Sequence, residues 1–122
     1  MLERAGKQLF RDHVEIWESG DLKKLSTAIH ADYIGHTSWG DRDHEGLRQR
    51  IVAFRREYSN IRFAIEDQLG EGDRVASRLI ATATRAIDGQ QVVLYGLNIS
   101  RIAEGRIIEE WMAWEVQPTK AA

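Results

Sequence analysis

Glu115 and His36 are the two residues that this sequence best offers for proton transfer. Glu115 closes the stretch Gly105-Arg106-Ile107-Ile108-Glu109-Glu110-Trp111-Met112-Ala113-Trp114-Glu115. As a β-strand, that stretch alternates its faces. Ile107, Glu109, Trp111, Ala113 and Glu115 fall on one side, and Ile108, Glu110, Met112, Trp114 and Val116 on the other. Both sides are apolar enough to need cover. The expectation is that the Glu115 side lines a pocket and the other side meets a second subunit. Carbanion chemistry beside a carbonyl needs a base whose pKa lies near working pH, and an apolar pocket raises a carboxylate toward that range. The plain alternative is a solvated glutamate at the end of a strand near Pro118.

His36 lies in His30-Ala31-Asp32-Tyr33-Ile34-Gly35-His36-Thr37-Ser38-Trp39-Gly40-Asp41, which reads as irregular. A neutral imidazole there can donate to a developing enolate or relay a proton, or simply bond the backbone. His13 sits on an apolar stripe and reads as a core histidine, His30 packs at a helix–loop junction, and His44 reads as a surface residue. Tyr33, Trp39, Phe54, Tyr58, Tyr95 and Trp111 are candidate lining residues for a ligand, with core filling as the default for each. Asn98 can orient a ligand carbonyl, and Glu109 can pair with Arg78 or Arg101.

Other chemistries find less support. The chain has no cysteine, which removes disulfides, thiolate nucleophiles and thiolate metal sites. His30, His36 and His44 lack a metal-ligand spacing, so no metal is expected. No Gly-x-Ser-x-Gly elbow is present. The net charge of −2 argues against nucleic acid, and Glu45 and Glu57 interrupt the run Arg48, Arg50, Arg55, Arg56 and Arg62. No apolar run is long enough to span a membrane, and the first residues lack a signal peptide's apolar segment. A cytoplasmic protein is expected.

The elements that must hold these residues follow from periodicity. The 122 residues suit one domain with a modest cavity. Leu9, Phe10, His13, Ile16 and Trp17 predict a helix over 3–19, stopped at Ser19-Gly20. Asp21 is placed to cap a short second helix through Leu22, Leu25 and Ile29. Leu47, Ile51, Phe54 and Tyr58 predict a third helix after Asp43. From Ile61 the period becomes two, and turn signals at Gly70-Glu71-Gly72-Asp73, Asp88-Gly89 and Glu104-Gly105 cut the rest into strands near 61–69, 74–86, 91–103 and 106–117. The fold class is therefore α+β, with three N-terminal helices packed in a four-stranded antiparallel meander. Strands this long predict strong curvature, Gly96 predicts a bulge or a bend, and the tail 119–122 should fray. Met112, Trp114 and Val116, with Val92 and Leu94, are expected on the outer face of the sheet, as a homodimer contact.

Four stretches carry a resemblance. Asp32-Tyr33-Ile34-Gly35-His36, Glu57-Tyr58-Ser59-Asn60-Ile61, Glu71-Gly72-Asp73-Arg74-Val75-Ala76-Ser77-Arg78 and Gly105-Arg106-Ile107-Ile108-Glu109-Glu110-Trp111 stand in the order and spacing of the SnoaL-like polyketide cyclases. That group belongs to the nuclear transport factor 2-like superfamily, which also contains the ketosteroid isomerases. The resemblance implies a cone-shaped, barrel-like sheet around three helices with an apolar internal pocket. It also implies an aspartate acting as acid and base four residues after the last motif's tryptophan, a position held here by Glu115. Ala83-Thr84-Arg85 stands where many members have Gly-Thr-His.

Within that group the acid inventory favours a cofactor-free reaction. Asp88, in a turn, is the only carboxylate between Arg74 and Ala103, whereas the epoxide-opening and ketosteroid-isomerising members use more than one pocket acid. One carboxylate with a histidine suits aldol-type ring closure, or another enolisation, of a small apolar or polyketide-like ligand. A non-catalytic ligand-binding protein remains the alternative, as do an isomerase, a dehydratase and an epoxide hydrolase.

Overall fold

The structure is a computed structural model, and it describes residues 2–118. The tail at 119–122 lies outside the described residues. The chain begins with helix α1 (Leu2–Ser19), a single 3-10 turn (Leu22–Lys24) and the short helix α2 (Leu25–Ala28). Strands β1 (Ile29–Thr37) and β2 (Gly40–Arg42) follow, then helix α3 (His44–Glu57). Four long strands complete it: β3 (Tyr58–Glu71), β4 (Arg74–Arg85), β5 (Gln91–Ala103) and β6 (Arg106–Pro118). The α+β class is as expected, but the sheet has six strands, not four, in the order β2-β1-β6-β5-β4-β3. It is also mixed, because β1 runs parallel to β6 while every other neighbouring pair is antiparallel.

The extra two strands come from the segment that reads as irregular. Its alternation is broken, since the β1–β6 register shifts between Ile29 and Ile34. Period-two arguments fail across such a shift. The turn at Thr37–Gly40 then folds the chain back, with Thr37 Oγ1 donating to the Gly40 carbonyl at 2.8 Å.

The helices follow their apolar stripes. Phe10, His13, Val14 and Ile16 are buried on α1, and Leu47, Ile51 and Phe54 on α3. Asp43 caps α3, accepting from the Gly46 amide at 2.8 Å. Asp21 occupies the equivalent position before the 3-10 turn without a capping hydrogen bond, and Ile29 belongs to β1, not to the second helix. Leu47 and Ile51 are both fully enclosed, each contributing about 1.5–3 kcal/mol by burial. Phe10, Val14, Leu25, Leu47, Leu79 and Ile107 belong to one core cluster. Phe54, Tyr58, Ala81, Val92 and Leu94 belong to a second. Trp17, Phe63 and Trp114 touch both clusters and bound the space between them.

Two features decide which side chains point inward. Gly96 is not a bulge: the β4 and β5 ladders run through it without a shift. It pairs with Trp114, whose ring lies where a Cβ would stand, 2.6 Å away. The irregularity is instead in β6, where Arg101 pairs with Glu109 but Ile102 pairs with Ile107. Ile108 is the extra residue, so Ile107 and Glu110 both face the core. Past the bulge, Glu110, Met112, Trp114 and Val116 face inward, and Glu109, Trp111, Ala113 and Glu115 face out. Val92 and Leu94 are likewise buried under the helices, not on the outer face.

Candidate active site

The inner face of β4, β5 and β6, with α1, α3 and the β1–β2 turn, encloses a hollow of about 130 Å³. Phe54 and Tyr58 of α3 and its end, Phe63 of β3, Trp17 of α1 and Trp114 of β6 give it aromatic walls. Phe63 meets Trp114 edge-on at 6.2 Å, and Trp17 meets Phe54 edge-on at 5.3 Å. The polar groups reaching the hollow are few: His13, Asn98 and Glu110 inside it, and Thr37, Ser38, Arg42 and Arg50 around one end. Trp39, 85% exposed at the tip of the β1–β2 turn, stands at that same end.

Glu110 is completely enclosed, and its carboxylate is surrounded by donors. Tyr33 Oη donates to Oε1 at 2.8 Å, and Asn98 Nδ2 donates to Oε2 at 3.1 Å. Ser100 Oγ lies 3.1 Å from Oε2 and 2.8 Å from Asn98 Oδ1, and its one proton serves one of them at a time. The strand register makes this possible, because Ser100 pairs directly with Glu110 and Asn98 with Met112.

His13, from α1, completes the set. Its Nε2 lies 3.5 Å from Glu110 Oε1 and 3.4 Å from the Trp17 indole nitrogen, which donates to it. One ring nitrogen cannot accept from Trp17 and donate to Glu110 at once, so the two contacts exclude each other. His13 Nδ1 is buried without a hydrogen-bond partner. Burial pushes the Glu110 carboxyl up, but His13, Tyr33 and Asn98 together outweigh it and hold the group below its ordinary value. Burial, and then the charge of Glu110, push the Tyr33 hydroxyl far above its ordinary value, which keeps it a donor.

The expected catalytic pair is elsewhere. Glu115 is exposed on the outer face, opposite Tyr95, and its carboxylate accepts from the Gln117 side chain. His36 is on the outer face too, stacked on Trp111 at 5.3 Å. Its Nε2 lies 2.7 Å from Glu109 and its Nδ1 2.9 Å from Asp41. The hydrogen bond to Glu109, then that to Asp41, raises the imidazole above its ordinary value. Glu109 also takes Arg101 at 3.0 Å, while Arg78 pairs with Asp67. Trp111 carries the Arg74 guanidinium over its ring at 5.2 Å, and Tyr95 is 46% exposed. Neither Tyr95 nor Trp111 lines the hollow.

Of the other candidates, Trp39, Phe54, Tyr58 and Asn98 do line it, and Tyr33 stands behind Glu110. Glu110, His13, Ser100 and Arg42 are the residues that the sequence argument passes over. His13 carries the clearest recoverable signal, since Trp17 follows it by one helical turn. Glu110 is hidden by the bulge at Ile108, because strict alternation from the buried Ile107 places it on the wrong face. Among the described residues, no group of three or more His, Asp or Glu side chains is arranged to hold a metal ion. Among the same residues, no helix is long and apolar enough to cross a membrane.

Residues 7–122 match the family model of the SnoaL-like polyketide cyclases, and the chain belongs to that family. It is similar to the crystal structure of IdmH from Streptomyces antibioticus, a candidate polyketide cyclase. The two are 25% identical, with 90% of this chain and 91% of that one covered at a TM-score of 0.82. A candidate polyketide cyclase from Bacillus cereus is 27% identical, with 90% and 72% of the two chains covered at a TM-score of 0.77. AclR from Streptomyces galilaeus, a candidate hydroxylase, shares the fold at 20% identity, covering 95% and 82% at a TM-score of 0.84. No curated protein matches the sequence.

Proposed function

We propose that this protein is a cofactor-free enolising enzyme of the cyclase type, with His13 as the acid and base and Glu110 as the carboxylate that positions it. The observation that carries this reading is an imidazole at the wall of an aromatic hollow, 3.5 Å from a fully enclosed carboxylate. In the proposed cycle His13 takes a proton from a carbon between two carbonyls. The enolate carbon then attacks a second carbonyl, forming the new C–C bond. The resulting alkoxide takes the proton back from His13. Asn98 is placed to donate to a substrate carbonyl as charge develops there, at the expense of its bond to Glu110. The walls of Phe54, Tyr58 and Trp114 suit a flat, polyketide-like ligand.

Glu110 is the one carboxylate among the buried polar residues described, which favours enolisation over chemistry that needs two pocket acids. The test uses a 1,3-diketone such as 2-acetyl-1-tetralone in deuterated buffer, with NMR following loss of the proton between the carbonyls. The wild type should accelerate exchange, and His13→Gln should lower that acceleration about 100-fold or more. Wild-type exchange no faster than buffer would support the rival reading, a ligand-binding protein in which Glu110's saturated hydrogen bonds are structural.

The outer sheet face, we propose, joins a second copy of this chain. Leu69, Leu97, Ile99 and Trp111 form its apolar centre, where Leu69 is 74%, Leu97 60% and Ile99 41% exposed. Arg78 with Asp67, and Arg101 with Glu109, flank it with both signs of charge, as a two-fold, self-complementary contact requires.

A further inference from the structure

One end of the hollow carries two positive charges that lack an ion-pair partner of their own, although the Glu110 charge acts on Arg42 from a distance. Arg42 comes from β2 and Arg50 from α3, and both line the cavity. Among the described residues neither guanidinium has a carboxylate within ion-pair distance, and neither makes a side-chain hydrogen bond. Four other arginines of this chain are engaged. Arg78 pairs with Asp67, Arg101 with Glu109 and Arg85 with Asp88, and Arg55 caps the end of α1 by donating to the carbonyls of Trp17 and Glu18. Arg50 only lies over the face of Phe54, 5.9 Å from its centre, which leaves its donors pointing elsewhere.

Arg42 is half-buried, and burial, helped by the neighbouring Arg50 charge, outweighs the opposing influence of Tyr33 and Glu110 and holds its guanidinium below the ordinary value. Arg50 beside it is exposed, so the two like charges repel each other while Arg42 alone has lost part of its water. A ligand anion is what relieves both costs. The two acids flanking Arg42 are otherwise engaged: Asp43 caps α3, and Asp41 faces His36 on the outer side.

We propose that Arg42 and Arg50 form a carboxylate subsite, so that the substrate is a flat apolar molecule bearing a free carboxylate and not its neutral ester. The planar guanidinium fork matches a carboxylate through paired donors. The carboxylate sits at the Arg42–Arg50 end, which orients the ring system along Phe54 and Trp114 and presents its carbonyls toward His13 and Asn98. This specifies the substrate class for the cavity proposed above as the active site, and it is testable without turnover.

The experiment is calorimetric titration of the full chain with 2-naphthoate and with methyl 2-naphthoate, two ligands that differ only in charge. The wild type should bind the acid at least about tenfold more tightly than the ester, with that preference shrinking as salt rises. Arg42→Gln and Arg50→Gln should each reduce the preference, and the double variant should abolish it while still binding the ester. Arg62→Gln, which alters an arginine outside the hollow, should leave it unchanged, and melting curves establish that each variant folds. Equal affinity for acid and ester in the wild type overturns the proposal. So does binding of neither ligand, or a preference that survives in the double variant. His13→Gln should keep the preference, so a catalytic reading that fails in the exchange assay fails separately from the subsite.

Discussion

Glu110 has two oxygens and four neighbours bearing donors, and that saturation decides its state. A carboxylate placed without partners in an apolar interior would take up a proton. Here the donors keep it ionised, with its folded pKa depressed below the ordinary value near 4.5. The sign follows: a depressed acid adds stability above its unfolded pKa and loses it as pH falls through the folded one. The melting temperature of the wild type should therefore fall more steeply than that of Glu110→Gln as buffers are taken from about pH 5 downward. Parallel curves would mean that Glu110 does not carry the charge assigned to it. At neutral pH, Glu110→Ala should cost about 3–5 kcal/mol in urea unfolding, because it leaves Tyr33, Asn98 and His13 facing an empty space. This residue's importance is barely legible in the sequence. Two adjacent glutamates, Glu109 and Glu110, precede a tryptophan, and nothing in their types says that one is in solvent-facing pairs with His36 and Arg101 and the other is sealed.

At the scale of an element, β6 shows where pattern reading works and where it stops. The strand itself, its turn at Glu104-Gly105 and its end at Pro118 are all visible in the sequence, because positive-φ turn residues and period-two apolar runs are local properties. Glu104 and Gly105 do adopt φ of 54° and 73°. The set of residues that share a face beyond Glu109 is also legible. Which face is inside is not, because a single extra residue at Ile108 inverts the relation to Ile107, and a bulge leaves no compositional mark. Deleting Ile108 should remove the bulge and make the ladder continuous, with Glu110 still inward and Glu109 and Trp111 still outward, and should yield soluble protein with wild-type circular dichroism. Insoluble or unfolded protein would contradict the assignment. β5 gives a second test: Gly96→Val places its side chain within the Trp114 ring, and should lower stability by about 1–3 kcal/mol and narrow the hollow. The hairpin of β1 and β2 lies at the limit of legibility, since its register shift and three-residue partner leave too short a pattern to read.

For the whole molecule, the helices-then-strands order predicts the α+β class, and the motif spacing the family. The number of strands and the parallel pairing of β1 with β6 depend on contacts between residues more than 70 positions apart, such as His36 with Trp111. The two faces of the sheet then differ in character: the inner face carries His13, Glu110 and aromatic walls, and the outer face exposes Leu97 and Ile99. If the outer face is the contact between copies, Leu97→Glu with Ile99→Glu should convert a dimer to a monomer in light scattering at micromolar concentration, while His13→Gln leaves the dimer intact. If the chemistry is confined to the inner face, 1,3-diketone proton exchange measured side by side for two pairs of variants will separate them. His13→Gln and Glu110→Gln, on the inner face, should cut the enzyme's acceleration by about 100-fold and about tenfold, with ligand affinity kept. His36→Ala and Glu115→Gln, on the outer face, should leave it within about twofold. Loss of exchange in the outer pair, with the inner pair unaffected, would contradict the account.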